Sequence, residues 1–136
     1  MKKLLFVLVL AIAVCSLASC STSVSDPIEL ANVLIEEDYH VSITVEKDDI
    51  DMLADEMEVK ANGITCMLYA QPDDYNDERS GFFIFCESTK IAKDMKEDLE
   101  SYLEKDEFDD GIIRATVEVS GSTVFVGCKD VWEDIQ

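Results

Sequence analysis

The dipeptide Gly121-Ser122 separates two runs rich in apolar and β-branched residues, Ile112 to Val119 and Thr123 to Cys128. A two-residue hairpin turn needs positive φ, and glycine supplies it without steric cost. Such a turn also fixes the register, setting residue 119 opposite 124, 117 opposite 126 and 115 opposite 128. On that register Ala115, Val117, Val119, Val124, Val126 and Cys128 fall on one face. Turn chemistry and hydrophobic alternation are independent signals, and here they specify the same antiparallel hairpin.

The rest of the chain must supply elements that pack against this hairpin. Asp26-Pro27-Ile28-Glu29 is a helix start, with a capping Asp, Pro at the first helical position and Glu three residues after the cap. Ile28, Ala31, Leu34 and Ile35 continue it at helical spacing to Glu36. The β-branched run from Tyr39 to Val45 predicts a strand, and Asp48 can cap a short acidic helix carrying Ile50, Leu53 and Met57. Ile64 to Ala70 and Gly81 to Cys86 read as a hairpin with a long polar tip. Ser88 then caps a helix whose stripe is Ile91, Met95, Leu99, Tyr102 and Leu103. A short helix closes the chain.

These elements predict an α+β domain: an antiparallel sheet of about five strands with helices packed on one face. Residues 39–119 follow the order β-α-β-β-α-β, similar to a ferredoxin-like arrangement, with the last hairpin strand added. One face of such a sheet should be wet and polar. This sheet is too apolar for that. If Val117, Val119, Val124 and Val126 face the helices, Phe125 points the other way. With Ile64, Cys66 and Leu68 taken into the core, Met67 and Tyr69 join Phe125 on the second face. Either Phe83 and Phe85, or Phe82, Ile84 and Cys86, complete it; Phe83 and Phe85 are the pair favoured here. Two readings follow. The chain covers this face itself, with residues 47–57 or Trp132, or the face receives a protein partner or a second copy of the chain.

The amino terminus carries a different kind of information. Met1-Lys2-Lys3 is followed by the apolar run Leu4 to Leu17 and by Ala18-Ser19-Cys20. A positive start, a short apolar run and small residues at a cut site make a secretory signal peptide. The run is shorter than the ~20 residues a spanning helix needs. Leu17-Ala18-Ser19-Cys20 resembles the lipobox of bacterial lipoproteins, and Cys15 fits that pattern poorly because Ile12 and Val14 precede it. The resemblance implies removal of residues 1–19, diacylation of Cys20 and a membrane anchor on the extracytoplasmic face. It also implies a tether over residues 20–26 and a single domain over 27–136. The overall pattern of lipobox, short tether and one acidic α+β domain is similar to that of small lipoproteins of Gram-positive gut bacteria, which implies no activity.

Composition narrows the company this domain keeps. The chain has 11 basic and 30 acidic residues, a formal charge of −19, and losing Lys2 and Lys3 with the leader makes it −21. Nucleic acid is therefore not expected as a partner, and anionic lipid is repelled. Cys66, Cys86 and Cys128 remain after Cys15 and Cys20 are accounted for, an odd number that leaves at least one thiol free or paired between chains. A Cys66–Cys86 disulfide stays open.

Catalytic equipment is sparse. His40 is the only histidine, and no nucleophile elbow, phosphate-cradling loop or dinucleotide fingerprint is present. Asp73, Asp74, Asn76, Asp77 and Glu78 form an acidic hairpin tip, and Asp106, Glu107, Asp109 and Asp110 form a second acidic run. Asp74-x-Asn76-x-Glu78 resembles the start of an EF-hand calcium loop, but the turn glycine and the closing Glu are missing. The expectation is a lipid-anchored, non-catalytic binding or accessory module with no cofactor. The alternative is a structural or homodimeric subunit of a membrane-associated assembly.

Overall fold

The computed structural model describes residues 24–74, 76–105 and 115–136. The second acidic run and the start of the strand expected from Ile112 lie outside them. In chain order the elements are α1 (Pro27–Glu36), β1 (Tyr39–Thr44), α2 (Lys47–Glu56), β2 (Ile64–Pro72), β3 (Gly81–Cys86), α3 (Thr89–Lys105), β4 (Ala115–Ser120), β5 (Thr123–Cys128) and α4 (Lys129–Asp134).

The helix starts follow from local chemistry. The Asp26 carboxylate accepts hydrogen bonds from the backbone N–H of Ile28 at 2.8 Å and Glu29 at 3.1 Å. It thereby satisfies two of the donors that a helix start leaves open. Ser88 caps α3 in the same way, its Oγ accepting from the Ile91 N–H at 3.2 Å. Helix α2 begins one residue before the expected Asp48, after Glu46, with no side-chain cap. Asp38 turns the chain from α1 into β1 with φ +63°, a conformation that Asp tolerates better than most residues.

The strands form one sheet in the order β1-β2-β3-β5-β4, antiparallel at every junction. Its β4–β5 register is the one the turn dictates: Val119 opposite Val124, Val117 opposite Val126, Ala115 opposite Cys128. The element order is that of a ferredoxin-like chain, yet β1 pairs directly with its successor β2. Residues 57–63 bring the chain back after α2, so the strands around it run antiparallel.

Helices cover both faces, not one as expected. On the front face, Leu30, Ala31 and Leu34 of α1 pack on Tyr39, Cys66, Leu68, Ala70, Phe83, Phe85 and Phe125. Val131 and Trp132 of α4 and Ile135 close the same cluster. On the back face, Ile50 and Ala54 of α2 and Ala92, Met95 and Leu99 of α3 pack on Met67, Ile84, Val117, Val124 and Val126. Each fully buried Leu or Phe contributes about 1.5–3 kcal/mol relative to exposure, so leaving the apolar front face in water would forgo that gain at every position. That is why α1 and α4, one near each end of the chain, close the front.

A bulge decides which β2 side chains face which way. Ile64 pairs with Cys86 and Cys66 with Phe85, so Thr65 is an extra residue on β2. Its hydroxyl donates to the Phe85 carbonyl at 3.1 Å. An extra residue reverses the alternation. Ile64 therefore packs against the back cluster while Cys66 and Leu68 belong to the front.

Candidate functional site

The aromatic partner face expected from the sequence is neither one face nor exposed. Phe83, Phe85 and Phe125 do share the front face, but Met67 lies in the back cluster, and Tyr69 alternates with Met67 to the same side. Phe83 and Phe125 have no exposed surface, and Met67 is 1 % exposed. The rings of Phe83 and Phe125 lie 4.8 Å apart, and Trp132 stacks over them at 6.3 and 5.6 Å. These residues are core. Trp132 covers the face, as one of the two sequence readings had it, together with α1 on the β1–β2 side, whereas residues 47–57, the other segment expected to cover this face, do not. Those residues pack on the back face instead.

The two ends of the sheet differ, and the first described residues fix which end the amino terminus meets. Val24 is buried in the front cluster, and its carbonyl accepts a 2.8 Å hydrogen bond from the Thr123 hydroxyl, itself fully buried. The ordered domain therefore starts upstream of residue 27, and Val24 belongs to the core and not to the tether. Sequence reasoning missed this latch. Its only trace was one β-branched apolar residue inside the polar run Ser21-Thr22-Ser23-Val24-Ser25. Cys20 lies outside the described residues.

Thr123 follows the Gly121-Ser122 turn, so the latch marks the near pole of the sheet. The Cys86 N–H donates to the Ser122 carbonyl at 2.9 Å, and the Glu87 N–H to the Gly63 carbonyl at 2.8 Å. These bonds place the end of β3 and the start of β2 at this pole. Thr44 pairs with Met67, which brings the end of β1 there as well. A shallow groove at this pole is lined by Val45, Lys47, Ile50, Ala61, Gly63 and Ile64, among others.

The far pole carries the acidic loop between β2 and β3. Asp74 accepts from the N–H and the side-chain amide of Asn76, at 2.9 and 3.1 Å, which is a local turn. Asp77 is held by Arg79, whose backbone N–H, Nε and Nη2 all donate to its carboxylate. The guanidinium keeps this carboxyl below its ordinary pKa. Arg79 also reaches Asp134 at 3.4 Å and lies 5.8 Å over the Tyr39 ring. Tyr39 donates to Asp134 at 2.7 Å, and burial first, then that bond, raise its pKa. A clasp of Tyr39, Asp77, Arg79 and Asp134 thus ties the loop to α4. With Asp77 engaged by a cation and Asp74 by Asn76, the loop offers a poor ligand set for calcium. No group of three or more His, Cys, Asp or Glu placed to hold a metal occurs among the described residues.

His40 opens onto a shallow cleft with Gln71, Pro72, Asp73 and Asp77. None of those neighbours is a nucleophile of the Ser, Thr or Cys type. The thiols are equally distant from such a role. Cys66 belongs to the front cluster and Cys86 to the back cluster, on opposite sides of the sheet, and both are free and buried. Burial raises the pKa of both, that of Cys86 to about 11, which keeps them protonated and unreactive near neutrality. Cys128 is half-buried and free. It packs against the front cluster and so leaves the valine face that the hairpin pattern had given it, while Ala115 opposite it is exposed.

No known protein-family model, no curated protein and no solved structure matches this chain.

Proposed function

We propose that this chain is an extracytoplasmic lipoprotein, held to the membrane through Cys20, whose domain acts as a non-catalytic binding or accessory module. The observation that carries this reading is the segment Leu17-Ala18-Ser19-Cys20 placed after Lys2-Lys3 and the apolar run Leu4 to Leu17. Two acyl chains hold a protein stably at a bilayer, whereas one gives marginal binding. No helix among the described residues is long and apolar enough to cross a membrane. The far-pole clasp and the buried Cys66 and Cys86 thiols support the non-catalytic part, because Asp77, Arg79, Tyr39 and these two thiols are engaged or shielded.

The aromatic sheet face that either a binding module or a homodimer could have used is buried under α1 and α4, so neither reading draws support from it, and a binding module is left with the acidic loops. The reading is tested by expressing the full chain and Cys20→Ser in a bacterial host and fractionating the cells. The full chain is expected in the membrane fraction, extractable by detergent but not by high salt. Cys20→Ser is expected to leave that fraction as an unlipidated precursor or soluble form. Equal partition of the two proteins would overturn it.

A further inference from the structure

The latch between Val24 and Thr123 has a consequence for how the domain sits on a membrane. From Cys20 to Val24 there are four residue steps, which span at most about 14 Å of extended chain. Val24 is fixed in the core by its burial and by the 2.8 Å bond from Thr123. Nothing between the anchor and the folded domain is long enough to let the near pole swing away from the bilayer. We infer that the near pole, built around the Gly121-Ser122 turn, rests on the lipid headgroups, while the acidic loop at residues 73–80 points outward. This rests on lipidation of Cys20.

Exposed apolar side chains occur at the near pole, although Ile35 near the far end of α1 is also exposed. Ile28 in the first turn of α1 is 62 % exposed, and Val45 just beyond β1 is 63 % exposed. Both sit at the near pole, where an interfacial environment suits exposed apolar side chains. Lys47 opens α2 there, and Lys90 lies in the first turn of α3. At the far pole Asp38, Asp73, Asp74 and Glu78 are exposed and lie close to the Asp77 and Asp134 carboxylates of the clasp. The near pole is acidic too, with Asp26, Glu29, Glu46, Asp48, Asp49 and Glu87 exposed there, so an anionic surface suits neither end. Strand β2 alone separates the poles by nine residues, about 27 Å at the rise of an antiparallel strand. The surface fitted to the near pole is a zwitterionic lipid headgroup layer, and the far pole is left open to soluble partners.

Depth-dependent quenching tests this. The lipidated full chain, in a Cys128→Ser background, is placed on phosphatidylcholine vesicles containing a lipid with a nitroxide headgroup. A fluorophore is attached through Ser122→Cys in one sample and Asp74→Cys in another. Quenching is expected to be several-fold greater at 122 than at 74. Equal quenching, or more at 74, overturns the orientation. Intact mass of the same samples separates this from the anchor itself: a chain bound without lipid on Cys20 overturns the lipoprotein reading and the orientation with it. Adding Thr123→Val, with folding checked by circular dichroism, is expected to bring the two positions closer. An unchanged ratio in a folded variant overturns the latch as the orienting contact.

Discussion

The Thr123 hydroxyl and the Val24 carbonyl meet at 2.8 Å across 99 residues of sequence, in a site without solvent access at Thr123. A buried carbonyl left without a donor loses about 1–3 kcal/mol of stability. Thr123→Val keeps the shape and removes the donor, so urea unfolding of the mature domain is expected to show a loss of about that size. Thr123→Ser retains the hydroxyl and should fall well short of it. No loss in Thr123→Val would mean that the hydrogen bond contributes nothing, and equal losses in the two variants would mean that the methyl group contributes as much as the bond.

Gly81 and Gly127 face one another across β3 and β5, and their spacing leaves no room for a side chain. A Cβ on Gly127 would stand 2.4 Å from the Gly81 Cα, with φ at +155°, and one on Gly81 would stand 2.3 Å from the Phe125 ring. Gly121, at φ +60°, has open space around it. Gly121→Ala is therefore expected to cost about 1–2 kcal/mol from the backbone alone. Gly127→Ala is expected to cost more than either other variant, because backbone cannot yield as a ring can. Thermal unfolding of the three variants gives the order directly.

The clasp at the far pole predicts a signature in acid. Arg79 lowers the Asp77 pKa through hydrogen bonds, so the stability this pair adds is present above the unfolded carboxylate pKa. It is lost as pH falls through the lower folded value. Carboxyl NMR should show Asp77 titrating below the ordinary carboxylate range, and Arg79→Gln should return it upward. Tyr39→Phe removes the bond to Asp134 and is expected to cost about 1–2 kcal/mol. An unchanged Asp77 midpoint in Arg79→Gln would show that the contact is not kept in solution.

At high pH the buried Cys86 thiol acts in the opposite sense. Its folded pKa is raised by burial to about 11 from an ordinary 9.0. The unfolded chain releases this proton first, so the contribution is whole below pH 9 and is lost as pH rises toward about 11. The stability difference between the parent and Cys86→Ala should therefore shrink across that window. Thiol titration with a disulfide reagent at neutral pH should modify Cys128 first and reach Cys66 and Cys86 only on unfolding.

How much of this was legible in the sequence depended on whether two signals met at one place. Gly121-Ser122 combined turn chemistry with clean alternation, and its register holds pair by pair. Asp26 and Ser88 likewise announced their helices. The faces of β2 could not be read, because Met67-Leu68-Tyr69-Ala70 and Phe82 to Cys86 are apolar without period and both sides of the sheet are covered. The bulge at Thr65 then reversed Ile64 relative to Cys66, and a single extra residue has no sequence signature of its own. The acidic loop offered only weak cation candidates in the sequence, because spacing shows carboxylates. It does not show that Arg79 has engaged one of them.

The mass of the intact protein extracted from bacterial membranes decides whether Cys20 carries the anchor. The expected chain begins at Cys20 and carries a diacylglyceryl group on its sulfur. A soluble chain beginning elsewhere without lipid, or a membrane form that keeps residues 1–19, would contradict it.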